Sequence, residues 1–336
     1  MNNKKIDVGI IGAGGSGIGI HGRLLSERKD KFNIISFCDT DKEKLKIAGE
    51  KFKVRTFTSP KEFFRQRQME LVIVATRPHS THFSLALDAM QAGKNVVVEK
   101  PMCITVEEAK KMIEASEKNK VFLFPFQNQR WNLGFMCFKE ALEKKVTGQL
   151  KYIEVRRNIR GDDEGVVYEF MPHFIDCILV LLNFDKPVEV NAVLKNPEGK
   201  WDQLGFVYAG IRFQNGVFVT ISQLPDETAK TPHFYWYAAG TEGSIWQDNV
   251  YNKYDLLYKN ARHTGRAQSF VPEFLETKIK GEKERKDDFT ISFYDNVYQV
   301  LREGRQQVVK PEHVLAQLEI IEKIIASARA GRAIRI

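Results

Sequence analysis

The chain has 336 residues, of which 43% are hydrophobic and 28% charged, and its formal net charge at pH 7 is +8. This composition is ordinary for a globular protein and argues against disordered and fibrous classes. The Lys and Arg residues are scattered and interleaved with acids, which favours a basic solvated surface over a site for nucleic acid.

Length, apolar runs and cysteines limit the prediction further. A chain of this length exceeds what one core usually organises, so we expect two domains. The apolar runs have strand length and the first residues lack a signal-peptide core, so we expect a cytoplasmic protein with no membrane partner. The cysteines lack C-x-x-C spacing, which favours reduced, packed thiols over disulfides or a metal site: Cys38, Cys103, Cys137 and Cys177.

The first motif in chain order is a glycine pattern. An apolar strand predicted near residues 5–12 leads directly into glycines spaced G-x-G-x-x-G. Gly12 allows a tight turn, Gly14 lets the backbone approach a pyrophosphate, and Gly17 lets the following helix pack close to the sheet. The pattern predicts a dinucleotide site at the N-terminus of that helix.

Asp39 strengthens this interpretation. It ends a second predicted strand, near 32–39, about 20 residues beyond the glycines, where an acid binds the adenosine ribose hydroxyls. Its charge would repel a 2′-phosphate, so we expect NAD to be preferred over NADP, with Lys42 nearby able to soften the preference.

Strands and helices alternate through the first 126 residues, which predicts a parallel, doubly wound sheet. We assign residues 1–126 to this domain and 127–336 to a second one. Further strands are predicted near 70–76, 94–99 and 121–126, and helices near 17–29, 41–52, 79–92 and 105–119. Capping-box spacings mark two of the helix starts, Thr40 with Glu43 and Thr105 with Glu108.

Beyond Arg130 the pattern changes to strands with few helices between them, which predicts a mainly antiparallel sheet. Asn215-Gly216 indicates a tight hairpin. The predicted strands are 149–157, 188–194, 205–213, 217–223 and 234–239, and the predicted helices are 135–145, 288–303 and 311–330.

Lys100 is the first candidate for chemistry. Ala75-Thr76 and Glu99-Lys100 follow two predicted parallel strands, so both lie at the carboxyl edge of the sheet, where ligands bind in such folds. A lysine there can bond a substrate hydroxyl. The alternative is a surface lysine in a salt bridge at a strand end.

His173 is the second candidate. Proline fits the first turn of a helix, so Pro172 predicts a helix that starts close to it. Asp176 then shares a face with His173, and Glu169 joins them if the first turn reaches that far back. A histidine near a helix N-terminus is held neutral, which suits a general base. The alternative is a histidine that caps the helix or packs at a domain interface.

Together these residues resemble the Gfo/Idh/MocA family, which includes inositol dehydrogenases and glucose-fructose oxidoreductases. The resemblance spans nearly the whole chain and is most specific at Glu99-Lys100-Pro101. It also includes His21 after the glycines, His82, Ala92-Gly93-Lys94, Arg130 and Phe293-Tyr294-Asp295-Asn296.

The resemblance implies a Rossmann domain joined to an α+β domain with a mainly antiparallel open sheet, with substrate between the two. It implies that Lys100 is the cleft lysine, that His173 is the acid/base and that Glu169 orients it, with Arg130 and Asp176 on the substrate. The implied cofactor-binding residues are Gly12, Gly14, Gly15, Ser16, Gly17, Asp39, Thr76, His82 and Glu99. The chain departs from the family at Glu169, where Asp is usual, and between Gly17 and His21, where it is one residue longer.

The expected activity is NAD(P)-dependent hydride transfer with a secondary alcohol of a sugar, cyclitol or derivative, without a metal. NAD is the expected cofactor, with NADP possible, and the expected assembly is a homodimer or homotetramer. NAD-assisted glycoside cleavage is one alternative, distinguished by the absence of net redox change. A non-catalytic dinucleotide-binding sensor is the other, although such proteins tend to lose the lysine and histidine.

Overall fold

A computed structural model describes residues 4–159, 166–225, 236–247, 256–260, 273–275 and 290–336. The chain divides into two compact units, residues 1–128 with 287–318 and residues 129–286 with 319–336. The predicted boundary at residue 126 lies close to the end of the first stretch. The segment 287–318 belongs to the first unit, although the sequence places it in the second domain.

The first unit contains a six-stranded parallel sheet with the order β3-β2-β1-β4-β5-β6. The order reverses between β1 and β4, and in open parallel sheets ligands bind outside the carboxyl ends of the strands at such a point. The strands are β1 Ile6–Ile11, β2 Phe32–Cys38, β3 Arg55–Phe57, β4 Leu71–Val74, β5 Asn95–Val98 and β6 Leu123–Pro125. These strands are rich in buried Val, Ile and Leu, as expected for a sheet covered on both faces.

Helices follow these strands, and most of them begin where the sequence predicts. They are α1 Arg23–Glu27, α2 Lys42–Phe52, α3 Pro60–Phe64, α4 Thr81–Gln91, α5 Val106–Asn119 and, later in the chain, α8 Thr290–Glu303. The predicted capping box at Thr105 and Glu108 is confirmed. The one at Thr40 is wrong, because the carboxylate of Asp41 caps α2 by accepting from the N–H groups of Glu43 and Lys44.

Helix α8 joins the first unit through aromatic packing. The rings of Tyr294 and Tyr298 meet Phe32 edge-on, with centroids 5.6 Å and 6.0 Å away. The carboxylate of Asp295 binds Arg28 and Lys31 at 3.0 Å and 2.6 Å. These contacts explain why a segment far along the chain packs beside β2.

The second unit contains a nine-stranded, mainly antiparallel sheet with the order β14-β13-β12-β11-β7-β10-β9-β8-β15. β7 and β10 form a parallel pair within it. The strands are β7 Leu150–Ile159, β8 Pro187–Leu194, β9 Val207–Phe213, β10 Phe218–Pro225, β11 Trp236–Gly240, β12 Gly243–Gln247, β13 Leu256–Asn260, β14 Glu273–Leu275 and β15 Ile334–Arg335. The predicted hairpin at Asn215-Gly216 is confirmed, with Gly216 at φ 84°. Phe234 and Tyr235 of the predicted fifth strand lie outside the described residues.

The other α-helices of the described residues are α6 Leu133–Glu143, α7 Val166–Leu181 and α9 Pro311–Ala330. The four cysteines are free and buried, as their spacing predicts. Within the described ranges, no helix is long and apolar enough to span a membrane.

Candidate active site

A cleft of about 1010 Å³ lies at the carboxyl edge of the parallel sheet. Its walls come from the segments that follow β1, β2 and β4, on either side of the point where the strand order reverses. Six of the predicted cofactor residues line it, namely Gly12, Gly14, Gly15, Ser16, Asp39 and Thr76. The other three, Gly17, His82 and Glu99, are buried.

The glycine positions fit a dinucleotide. Gly12 has φ +102°, and an added Cβ would lie 2.3 Å from the carbonyl oxygen of Ala75. A Cβ at Gly17 would lie 1.8 Å from the carbonyl oxygen of Gly12, so only glycine permits this packing of helix on strand. A Cβ at Gly14 would meet nothing within 4 Å, which leaves room for a phosphate to approach the backbone.

The helix after these glycines is a π-helix over Gly15–Gly22 that continues into α1. A π-turn closes on the fifth following residue and therefore holds one residue more than an α-turn. This geometry is compatible with a segment between Gly17 and His21 that is one residue longer than usual, as the family resemblance implies. His21 is fully buried at its end.

Asp39 is held in place by two backbone amides. Ala13 donates to its Oδ2 at 2.6 Å and Asp41 donates to its Oδ1 at 2.9 Å. The carboxylate therefore bridges the glycine loop and the start of α2 at the wall of the cleft. Lys44, rather than Lys42, is the lysine that lines the cleft there, and its Nζ lies 3.3 Å from Asp41.

His82, in the first turn of α4, links the segments after β4 and β5. Its Nδ1 lies 2.8 Å from the carbonyl oxygen of Pro101 and its Nε2 lies 3.0 Å from that of Thr76. Burial lowers the pKa of His82, although the two carbonyls and Glu99 oppose that effect. The hydroxyl of Thr76 bonds that of Thr81 at 2.6 Å.

Glu99 and Lys100 directly follow β5. The Lys100 N–H donates to Oε2 of Glu99 at 2.8 Å, while Oε1 of Glu99 lies 3.2 Å from Nε2 of His21. Burial alone would raise the pKa of Glu99, but His21, the Lys100 charge and the Lys100 amide outweigh it and lower the pKa to about 2. Glu99 is therefore a buried carboxylate that fixes the backbone at Lys100.

In the second unit, α7 carries Glu169, His173 and Asp176 at spacings of four and three residues. The spacing places them on one face, as predicted. The prediction that the helix begins near Pro172 is wrong, because it begins at Val166 and Pro172 lies inside it. Proline cannot donate a backbone hydrogen bond inside the helix, and the burial of apolar neighbours such as Met171 compensates for the free energy that this costs. His173 thus lies two turns into the helix, so a dipole argument for its neutral form does not apply.

Arg130 and Asp176 form a buried bidentate ion pair. Nε and Nη2 of Arg130 donate to the two carboxylate oxygens of Asp176 at 2.8 Å and 2.7 Å. Burial raises the pKa of Asp176, and Arg130 opposes the shift. The Arg130 guanidinium also lies 5.6 Å from the centre of the Phe184 ring.

Sequence reasoning missed several residues at the first unit's site. Asp41, Lys44, Thr81 and Ser84 also line the cleft. Most of them lie in the first turns of α2 and α4 or just before them, so their place at helix starts on the carboxyl edge was the available signal. In the described part of the chain, no group of three or more His, Cys, Asp or Glu residues is arranged to hold a metal ion.

Comparison with known proteins agrees with this architecture. Residues 6–126 match the family model for the oxidoreductase family, NAD-binding Rossmann fold, and residues 139–336 match its C-terminal alpha/beta domain. The chain is 26% identical to scyllo-inositol 2-dehydrogenase (NADP(+)) IolW of Bacillus subtilis, over 98% of this chain and 97% of that protein. It is 26% identical to myo-inositol 2-dehydrogenase of Thermotoga maritima, over 72% and 75% of the two chains.

Solved structures share the fold. An NAD-binding protein from Listeria innocua superposes with a TM-score of 0.84 at 24% identity, covering 99% of this chain and 97% of the other. The WlbA dehydrogenase from Chromobacterium violaceum, in complex with NADH and UDP-GlcNAcA, superposes with a TM-score of 0.81 at 20% identity, covering 100% and 97%. The chain therefore belongs to the Gfo/Idh/MocA oxidoreductase family, as a nicotinamide-dependent dehydrogenase or reductase.

Proposed function

We propose that this protein transfers a hydride between NAD and a secondary alcohol of a sugar, cyclitol or related polyol. One observation carries the proposal: Lys100 directly follows β5, beside the strand whose end supplies Thr76 to the cleft, and its backbone is fixed by Glu99. The two inositol dehydrogenases among its relatives support the class of substrate.

Lys100, His173 and Glu169 have separate roles in this proposal. When bound, the nicotinamide supplies the hydride acceptor or donor. The Lys100 ammonium binds the substrate hydroxyl and orients it. His173 takes the hydroxyl proton during oxidation and returns it during reduction. Glu169, one turn before His173 on α7, orients the imidazole ring.

The cofactor is held by the cleft of the first unit. Gly12, Gly14, Gly15 and Ser16 would face the pyrophosphate, and Asp39 would accept from the ribose hydroxyls with the oxygens that Ala13 and Asp41 orient. We assign His82, Glu99 and Gly17 a supporting part, because they are buried and hold the glycine loop and the segments after β4 and β5 in place.

For the substrate, Arg130 and Asp176 act as a pair. Asp176 is on the same helix as His173, one turn further on, and its carboxylate is bound on both oxygens by Arg130. The pair therefore fixes α7 near His173 and offers the guanidinium, rather than the carboxylate, to a substrate hydroxyl.

A cofactor and substrate screen tests the activity. The protein is titrated with NAD or NADH and a panel of sugars, cyclitols and their ketones, and the absorbance of the reduced nicotinamide is followed. Turnover that consumes or forms NADH in proportion to product supports the proposal. Cofactor binding without turnover across the panel would favour a sensor, and glycoside cleavage without net NADH would favour the hydrolytic alternative.

We also propose that a second copy of the chain covers the outer face of the nine-stranded sheet, giving a homodimer or a homotetramer built from it. Tyr208 and Phe218 on this face are 48% and 44% exposed, and Tyr152 stacks on Phe218. Arg212 and Glu189 add opposite charges on neighbouring strands of the sheet. A surface with both apolar rings and paired signs of charge suits self-association about a two-fold axis.

A further inference from the structure

A buried chain of polar contacts, from Tyr294 through His21 to Glu99, connects α8 to the backbone of Lys100. The hydroxyl of Tyr294 lies 2.6 Å from Nδ1 of His21, and Nε2 of His21 lies 3.2 Å from Oε1 of Glu99. The other carboxylate oxygen of Glu99 accepts the Lys100 N–H. Tyr294 and His21 are fully buried and Glu99 is 5% exposed.

Aromatic rings surround this chain of contacts. The Phe126 ring lies 4.6 Å from that of His21, and the rings of Phe32 and Phe293 lie 5.6 Å and 5.4 Å from that of Tyr294. Polar groups in such surroundings interact more strongly than in water, and each is costly to leave without a partner. Breaking any of these contacts would therefore cost free energy, which favours one arrangement of the three side chains.

The surroundings of Glu99 and Tyr294 fix the protonation of these two side chains. Glu99 is ionised because its pKa is lowered to about 2, so its oxygens only accept. Burial, and then the charge of Glu99, raise the pKa of Tyr294 well above its ordinary value, so its hydroxyl keeps its proton and can donate to Nδ1. The His21 ring lies between the two groups, with Nδ1 towards the Tyr294 hydroxyl and Nε2 towards Glu99.

We propose that Tyr294 is a positioning residue for Lys100, acting through His21 and Glu99. The inference rests on the role of Lys100 in the proposed function. Tyr294 fixes the ring orientation of His21, Nε2 of His21 lies against one oxygen of Glu99, and the other oxygen holds the Lys100 amide. Misplacing a reacting group by about 1 Å can cost about 10²-fold in rate. The Tyr294 hydroxyl can therefore affect turnover through the position of Lys100, although it does not touch the substrate.

His21 also links this chain of contacts to the π-helix. His21 lies at the end of the helix whose first residues line the cofactor cleft. The same imidazole therefore ties the phosphate-binding segment to the strand end that carries Lys100.

The test compares Tyr294→Phe with Tyr298→Phe. Both changes remove one phenolic hydroxyl from a buried ring on α8, but Tyr298 packs on Phe32, and among the described contacts it makes none with His21 or Glu99. The first readout needs no substrate: hydrogen exchange of the Lys100 amide, measured by NMR against that of Val98 in β5. We expect exchange at Lys100 to be about 10-fold faster in Tyr294→Phe and unchanged in Tyr298→Phe.

The second readout uses the substrate found in the screen. We expect Tyr294→Phe to lower kcat about 10-fold with KM for NAD within about two-fold, and Tyr298→Phe to change neither. In a Glu99→Gln background Tyr294→Phe should have no further effect, because the path to Lys100 is already broken. If Tyr294 had only a structural role, Tyr294→Phe would lower the melting temperature. It would then show neither the selective loss of kcat nor the loss of effect in the Glu99→Gln background.

The outcomes separate the two proposals. Normal exchange at Lys100 in Tyr294→Phe overturns the positioning role whatever the activity. Faster exchange with wild-type kcat also overturns it. Faster exchange in a protein that turns over nothing leaves the chain of contacts in place but contradicts the proposed function.

Discussion

The backbone N–H of Ala13 donates to Oδ2 of Asp39 across 2.6 Å, joining the glycine loop after β1 to the end of β2. The bond places a carboxylate at the wall of the cleft and holds the loop that would face a pyrophosphate. One residue thus shapes the loop and sets the charge that a ribose would meet.

The first prediction concerns cofactor choice. Asp39→Ser should weaken NAD binding about 10-fold and move the ratio of NADP to NAD affinity towards NADP, because the charge that repels a 2′-phosphate is gone. Dissociation constants for both cofactors measure the effect. Lys42→Ala, outside the residues that line the cleft, is the control and should leave the ratio unchanged. Tighter binding of NADP than NAD to the wild type would refute the assignment of Asp39.

The second prediction concerns acid stability. The pKa of Glu99 is lowered from 4.5 to about 2 in the folded protein, so ionised Glu99 stabilises the fold. That stabilisation is present in full above about pH 4.5 and is lost as the pH falls towards 2. Urea unfolding at several pH values should therefore show that Glu99→Gln is most destabilising at neutral pH and less so near pH 3.

Glu107→Gln is the matched control, because Glu107 is exposed on α5 in an ion pair with Lys111. It should lower stability little at any pH. A Glu99→Gln effect that grows as the pH falls would contradict the lowered pKa.

The third prediction is that activity needs no added metal. Hydride transfer with a lysine and a histidine available does not require a Lewis acid. Turnover should be the same after dialysis against a chelator. Activity that disappears in chelator and returns with one divalent ion would overturn this view.

The fourth prediction concerns assembly. Phe218→Glu places a charge in the middle of the exposed aromatic cluster on the nine-stranded sheet and should convert the oligomer to monomers. Sedimentation measures the mass. Ile47→Glu is the control, because Ile47 is 57% exposed on α2, in the other unit, and should leave the mass unchanged. A wild type that sediments as a monomer would rule out the proposed interface.

Much of the fold follows from local sequence signals. Hydrophobic periodicity predicts the parallel strands and most helices of the first unit because their apolar faces repeat regularly. It misses β3 Arg55–Phe57 and α3 Pro60–Phe64, which are too short to show a period. It also misplaces the start of α7, because tertiary burial around Met171 overrides the local rule for Pro172.

The site divides in the same way. The sequence could place Gly12, Asp39 and Lys100 at the carboxyl edge of the parallel sheet because each follows a strand. The bond between Tyr294 and His21 joins residues 273 positions apart, and no local pattern encodes such a contact. The ion pair of Arg130 with Asp176 could not be predicted either, because the sequence shows the charge of each residue but not that the two are in contact.

The fifth prediction concerns the proposed proton relay. His173→Asn removes the base while keeping a similar volume, so turnover should fall about 10²-fold or more with little change in melting temperature or NAD affinity. Glu169→Asp should be milder, because it keeps a carboxylate and shortens its reach by one methylene. A His173→Asn enzyme with normal turnover would show that another group takes the proton.

The role of Lys100 is tested most directly by the turnover of Lys100→Met on the substrate that the wild type uses, measured as NADH formed or consumed at saturating cofactor. Methionine keeps the length of the side chain and removes the ammonium. We predict a loss of about 10²-fold or more in kcat, with the NAD dissociation constant within about two-fold of wild type. Turnover close to that of the wild type would contradict the claim that Lys100 binds the reacting hydroxyl.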